Sequence, residues 1–180
     1  NEGPGLTPLY EALSIDLTGC CVILDAQRVH GAVWGEILAT AAHNCGASGV
    51  LICGSVRDKA QVIQIGIPLY AMHEIVVGPA GRAHVQEVGG PITMGASISG
   101  TISDPVSDTI VNNGDLIVCD ESGCVAIPPA ISNQILDAAR RYAEAELETV
   151  RSLLRREPLT VAYLHKKKIV QSIIAELGRP

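Results

Sequence analysis

Three side chains in the first third of the sequence have the types and spacing for oxo-acid chemistry. Twenty residues separate Glu36 from the dipeptide Arg57-Asp58. A guanidinium fork can grip a carboxylate or stabilise charge growing on a keto oxygen, and a carboxylate can anchor a divalent cation. The stretch that carries them, WGEILATAAHNCGASGVLICGSVRD, otherwise reads as an amphipathic helix feeding an apolar strand. Packing needs neither the acid nor the pair.

The flanking pattern says how such groups would be positioned. CCVILDA (residues 20–26) is a continuous apolar run, predicted as a strand buried on both faces. A helix is predicted over residues 35–44, with Ile37, Leu38, Ala41 and Ala42 on its apolar face and Cys45-Gly46 ending it. GVLICGSV is a second buried strand, which makes the order a βαβ unit with parallel strands. In such sheets ligands bind beyond the carboxyl ends of the strands. Arg57 and Asp58 follow the second strand there. Glu36 and the amides of Ile37 and Leu38 begin the crossover helix, where unpaired N–H groups favour an anion.

Parallel packing is therefore expected to bring the two ends into one crevice suited to a small 2-oxo acid and Mg²⁺ or Mn²⁺. Asp58 would anchor the ion, helped through water by Glu36, and Arg57 would stabilise the keto oxygen as it becomes an enolate. Carbon–carbon cleavage, by retro-aldol reaction or decarboxylation, is the outcome. The plainer reading is a solvated loop pair and a first-turn acid that offsets the helix dipole.

Beyond the second strand, IPLYAMHEIVVG, VGGPITMGASISG and DTIVNNGDLIVCDESGCVAIP are β-branched runs punctuated by glycine turns, and they read as hairpins. A long helix is predicted over residues 131–156. Its apolar stripe is Leu136, Ala139, Ala143, Leu147, Val150 and Leu154; Asp137, Arg140, Arg141, Glu144, Glu148 and Arg151 lie opposite, and Pro158 ends it. A last amphipathic piece covers residues 169–177.

Composition sets the outer limits. A chain of 180 residues, 47% hydrophobic and 18% charged, is expected to form one α/β domain over residues 1–180. With no Phe and one Trp it lacks the rings of a single-strand nucleic-acid platform. A net charge of −6 disfavours nucleic acid and anionic membrane as partners. The run Lys166, Lys167, Lys168 reads as a solvated helix face.

The six cysteines show no zinc-type pairing and read as reduced thiols of a cytoplasmic protein. No signal-peptide pattern or membrane-length apolar run is visible. His43 and His73 read as structural. The glycines around His84, in GPAGRAH, lack nucleotide-loop spacing. Asp25 either supports the crevice from behind or forms a turn.

Over residues 13–163 the chain resembles the family that groups the regulator of ribonuclease activity A with the 4-hydroxy-4-methyl-2-oxoglutarate / 4-carboxy-4-hydroxy-2-oxoadipate aldolases. The resemblance is carried by WGEILATAA, GASGVLICGSVRD, IPLYA, VVGPAGRAHVQEV, NNGDLIVCDESGCVAIP and RYAEAELE, and above all by the acid separated by twenty positions from Arg-Asp. It implies a three-layer β/β/α swivelling-domain fold with a long C-terminal helix, and a homotrimer or dimer of trimers with active sites between subunits. It makes Asp58 the metal ligand, Arg57 the substrate-binding and enolate-stabilising group, and Glu36 the acidic position. It further implies that the backbone of Gly35, Ile37 and Leu38 would hold the pyruvyl carboxylate.

A glutamate from a neighbouring subunit's C-terminal helix, matching Glu144 or Glu146, is also implied. Aldolase members usually carry an acid three positions after the motif Asp, where this chain has Gln61. The family also normally begins with a further segment ahead of the region matching Leu13, and it gives no role to SISGTISDPVSD or to the tail after Tyr163. Two functions follow: a metal-dependent lyase that yields pyruvate, or a non-catalytic regulator that binds a ribonuclease or other protein.

Overall fold

A core without Phe has to be assembled from strand residues, alanines and the single Trp, and the computed structural model shows how. It describes residues 5–79, 81, 83–94 and 109–178. In chain order the elements are α1 (Thr7–Ala12), β1 (Cys21–Asp25), β2 (Ala32–Trp34), α2 (Glu36–Asn44), β3 (Gly49–Val56), α3 (Lys59–Ile65) and β4 (Leu69–Glu74). There follow β5 (Ile92–Met94), β6 (Thr109–Val111), β7 (Leu116–Asp120), β8 (Gly123–Ile127), α4 (Pro129–Leu154) and α5 (Leu159–Leu177). They fall into two compact units, Asn1–Asn113 with Cys119–Gly123 and Gly114–Val118 with Cys124–Pro180.

The first unit is organised by β3, all of whose residues are buried, as a strand with neighbours on both edges requires. β1 pairs with it in parallel, Cys21 opposite Gly49 through Asp25 opposite Cys53, and β4 takes the other edge, also in parallel. β2 is parallel as well, with Ala32 opposite Ser55 and Trp34 opposite Val56, so it continues along the edge that β1 leaves. Between them Asp25 Oδ1 accepts the Gln27 N–H at 3.2 Å, which settles Asp25 as a turn former. The predicted parallel βαβ order is present, with β2 as an added short strand. Trp34, Val50, Ile52 and Val62 are the largest fully buried side chains.

Several expectations are corrected. IPLYAMHE is no hairpin arm: α3 crosses from β3 to β4, and a crossover rather than a tight turn makes the pairing parallel. Gly66, at φ 83°, ends that helix in the left-handed conformation glycine adopts freely. β1 is only half-buried because it lies at the sheet's edge. Ile37 is 78% exposed, since the buried side of α2 runs through Ala39 and Ala42 and leaves Ile37 on the opposite side.

Further along, pairing is antiparallel as predicted, Ile92 with Val111 and Met94 with Thr109. The SISGTISDPVSD insertion lies outside the described residues. β7 and β8 form a hairpin whose turn is closed by Asp120 Oδ1, which accepts the N–H groups of Ser122 and Gly123. Cys119 and Cys124, expected as reduced thiols, are disulfide-bonded, whereas Cys20, Cys21, Cys45 and Cys53 are free. No described helix is long and apolar enough to cross a membrane.

In the second unit α4 and α5 are separated by Pro158, which has no N–H to continue a helix. α4 matches the predicted long helix, and α5 starts ten residues before the predicted final piece. The face of α4 that packs is not the one predicted. Ala138, Ala145, Thr149 and Ser152 are buried, while the bulky stripe from Leu136 to Leu154 is exposed. Small side chains let α5 approach closely. Lys166 also departs from the solvated reading: it is 7% exposed, bonded to Glu146 and 4.4 Å above the Tyr142 ring.

Arg141 grips Glu176 through both nitrogens, at 2.5 and 2.9 Å, and the Ser172 hydroxyl adds a third donor. Together they hold the Glu176 carboxyl at about 2, below its ordinary value. A depressed carboxylate contributes stability that is present above the unfolded-state value and disappears as pH falls through the folded one. The α4–α5 pair is therefore expected to melt at falling temperature as pH drops from about 4.5 towards 2. Glu176→Gln should flatten that dependence, which circular dichroism melts across the range would read.

Candidate functional site

β2 and β3 run side by side with Trp34 opposite Val56, so Gly35-Glu36 and Arg57-Asp58 leave the sheet at the same end. The Arg57 N–H donates to Trp34 O at 2.9 Å and carries the pairing one residue further. Gly35 is the N-cap of α2 and Asp58 the N-cap of α3, so two helix starts open at one place.

Asp58 sits at φ 58°, ψ 35°, a left-handed conformation that costs a non-glycine residue about 1 kcal/mol and gathers at functional positions. Its carboxylate does not cap its own helix. Oδ2 accepts the Glu36 N–H at 3.3 Å and meets Arg57 Nε at 3.5 Å. The next two amides of α2, those of Ile37 and Leu38, meet no acceptor among the described residues. An anion placed there would find two free donors beside a guanidinium.

Close packing shapes this corner. A Cβ on Gly35 would stand 2.6 Å from Asp58 Oδ2 and 3.1 Å from Arg57 Cγ. The loop after β4 also reaches the guanidinium, and a Cβ on Gly78 would be 3.4 Å from Arg57 Nη1. Two backbone bonds hold that loop: Ile75 N–H to Val56 O at 2.9 Å and Ala32 N–H to Val77 O at 2.8 Å. Sequence reasoning weighed GPAGRAH only as a phosphate loop and missed Gly78. A glycine that admits close backbone approach was the signal available. Ala80 and Arg82 of that motif lie outside the described residues.

Glu36 enters the cluster through its backbone N–H, while its exposed carboxylate makes no ion pair among the described residues. Gln61 is exposed, three residues into the turn that Asp58 starts. In the second unit Glu146 is engaged by Lys166, and Glu144 is exposed. His43, His73 and His84 are exposed, and no group of three or more His, Cys, Asp or Glu among the described residues could hold a metal.

The Arg57 and Asp58 side chains are 44% and 38% exposed, so the crevice is open to water and the pair itself adds little to stability. Two surface hollows, of about 390 and 560 Å³, lie elsewhere, beside Asp16, Thr18 and Asn44 and beside Gln171 and Ile174.

Residues 6–126 match the RraA-like family, described as Aldolase/RraA. The match stops before α4, so Glu144 and Glu146 fall beyond it. An uncharacterized protein of Methanocaldococcus jannaschii is 27% identical over 137 residues, 76% of this chain and 60% of the relative. The chain thus spans about 60% of that curated relative's length.

Among solved structures, an uncharacterized protein from Pseudomonas syringae pv. tomato superposes with a TM-score of 0.71 at 24% identity, over 82% of this chain and 68% of that one. Streptomyces coelicolor RraAS2, an unusual member of the RNase ES inhibitor RraA protein family, gives 0.65 at 20% identity, over 84% and 69%. With two thirds of its length inside the family match and its α/β fold shared with these structures, the chain belongs to the RraA-like family.

Proposed function

We propose that the protein is a divalent-metal-dependent lyase that yields pyruvate, by retro-aldol cleavage of a 4-hydroxy-2-oxo acid or by decarboxylation of oxaloacetate. The observation that carries this reading is the position of Asp58 Oδ2, within 3.3 Å of the first amide of α2 and 3.5 Å of Arg57 Nε. That contact puts an acid, a cationic fork and free helix amides in one crevice.

The donor set fits a hydrated Mg²⁺ or Mn²⁺. The hydrogen bond and the ion pair of Asp58 both use Oδ2, leaving Oδ1 without a protein partner among the described residues, and the side chain is 38% exposed to water. Such an ion accepts one protein carboxylate and fills its shell with water and substrate oxygens. When bound it would supply a Lewis acid for the keto oxygen.

The chain's own groups do the rest. The amides of Ile37 and Leu38 hold the substrate carboxylate. As the bond between C3 and C4 breaks, its electron pair moves into the keto group, and Arg57 donates to the oxygen that takes the charge. In the retro-aldol case the C4 hydroxyl gives its proton to water and the other fragment leaves as a carbonyl compound; in the decarboxylation it leaves as CO₂. A proton delivered to C3 then gives pyruvate. Glu36 contributes its backbone and an exposed carboxylate at the rim.

The working form in this reading is a cytoplasmic homotrimer or dimer of trimers, in which a neighbouring subunit covers the open crevice. Glu144, exposed and without an ion pair among the described residues, is the better placed of the two helix glutamates to reach a neighbour.

Oxaloacetate and 4-hydroxy-4-methyl-2-oxoglutarate, each with excess Mg²⁺, provide the test in a coupled pyruvate assay. Release is expected from at least one, abolished by chelator and restored by added metal. No release from either overturns the reading. Gln61, where aldolases carry an acid, favours the second reading, a regulator that binds a ribonuclease; capture of a nuclease unaffected by substitution of Arg57 and Asp58 would support it.

A further inference from the structure

We infer that Gly31 is a positioning residue for Arg57 and that it acts through Gly78. A Cβ on Gly31 would stand 2.9 Å from Gly78 O, 3.0 Å from Pro79 Cα and 3.2 Å from Gly78 C. All three are backbone atoms, which cannot swing aside as a flexible side chain would. Neither Gly31 nor Gly78 has a positive φ, so Gly31 is needed for space and not for an unusual conformation, while a Cβ on Gly78 would just reach contact with Arg57 and a bulkier side chain would press on it.

The chain of contacts leads to the guanidinium. Gly31 lets the loop after β4 settle against the start of β2, where the Ala32 N–H bonds Val77 O at 2.8 Å. In that place Gly78 faces Arg57 Nη1, while Gly35, at the other end of β2, faces Arg57 Nε. The three-residue strand β2 thus fixes both walls of the slot that holds the fork. A side chain 44% exposed, with one half-exposed ion pair, has little else to hold its orientation. Recognition of a planar oxo acid by a fork tolerates errors of only about 0.5 Å and 10–20°. The inference takes its catalytic meaning from the lyase reading.

The Nε–H resonance of Arg57, assigned by its loss in Arg57→Lys, reports the orientation without any ligand. Gly31→Ala and Gly78→Val are expected to move it towards the position of free arginine. Gly54→Ala is the control for packing damage: its Cβ would crowd Ala26 backbone to 2.9 Å, away from Arg57. It should lower Tm and leave the resonance in place. With Mg²⁺ present, Gly31→Ala should also weaken oxalate binding and lower kcat by about tenfold each.

An unmoved resonance in folded Gly31→Ala, or an equal shift in Gly54→Ala, overturns the inference. If Gly31→Ala does not fold, Gly78→Val decides alone. A wild-type protein that neither releases pyruvate nor binds oxalate overturns the lyase reading, and the resonance still decides the role of Gly31.

Discussion

Arg57→Ala is expected to lower kcat for pyruvate release by about 10²–10³-fold, the loss that follows removal of one fixed donor from a growing oxyanion. KM should rise far less, because in the lyase reading the amides of Ile37 and Leu38 would still hold the substrate carboxylate. Tm should hardly move. The Arg57–Asp58 pair is about half exposed, and such a pair contributes about 0–1 kcal/mol. Asp58 Oδ2 also keeps its bond from the Glu36 N–H.

Arg57→Lys separates charge from shape. An ammonium restores the positive charge but not the planar fork, and only part of the lost rate should return. Steady-state kinetics on the three proteins, with melts alongside, give the answer. If Arg57→Ala keeps kcat within about twofold, the guanidinium is not stabilising the transition state.

The parts of this arrangement that could be read from the sequence share a physical cause. GVLICGSV is apolar but for Ser55, so a fully buried strand was the natural reading. Cys45-Gly46 marked the end of α2 because Gly46 takes a positive φ of 85°. Once two parallel strands were inferred, their carboxyl ends had to be neighbours, and Glu36 was expected near Arg57 and Asp58; the structure brings them together through β2, a strand not predicted.

What could not be read depended on tertiary approach. α3 is only seven residues long, and Val62, Ile63 and Ile65 give it a β-like local preference, so the crossover hid inside an apparent hairpin. α4 carries two stripes at helical spacing. The bulky one looked like the core, yet the small one, with Ala138 and Ala145, is buried. Nothing in periodicity alone says which stripe packs. Gly78 against Arg57 and the left-handed backbone of Asp58 likewise follow from how segments meet, not from the residues beside them in sequence.

The Asp58 backbone allows stability and activity to be separated in one substitution. Asp58→Gly is expected to abolish metal-dependent turnover while leaving Tm unchanged or slightly raised. At φ 58° an aspartate is strained by about 1 kcal/mol and a glycine is not. Against that gain, glycine at an N-cap costs a few tenths of a kcal/mol. The bond to the Glu36 N–H can be replaced by water, because Glu36 is exposed.

In the lyase reading the carboxylate that would anchor the ion has no such substitute, since no group of three or more His, Cys, Asp or Glu among the described residues could hold a metal. Mg²⁺ with oxalate should raise the Tm of the wild-type protein with the logarithm of ligand concentration above Kd and leave that of Asp58→Gly in place. Asp58→Asn, which tolerates the left-handed backbone and removes only the charge, should behave like Asp58→Gly in turnover. Chelator-sensitive pyruvate release by either variant would place the metal on other ligands, and Asp58 would then be a strained turn that joins two helix starts.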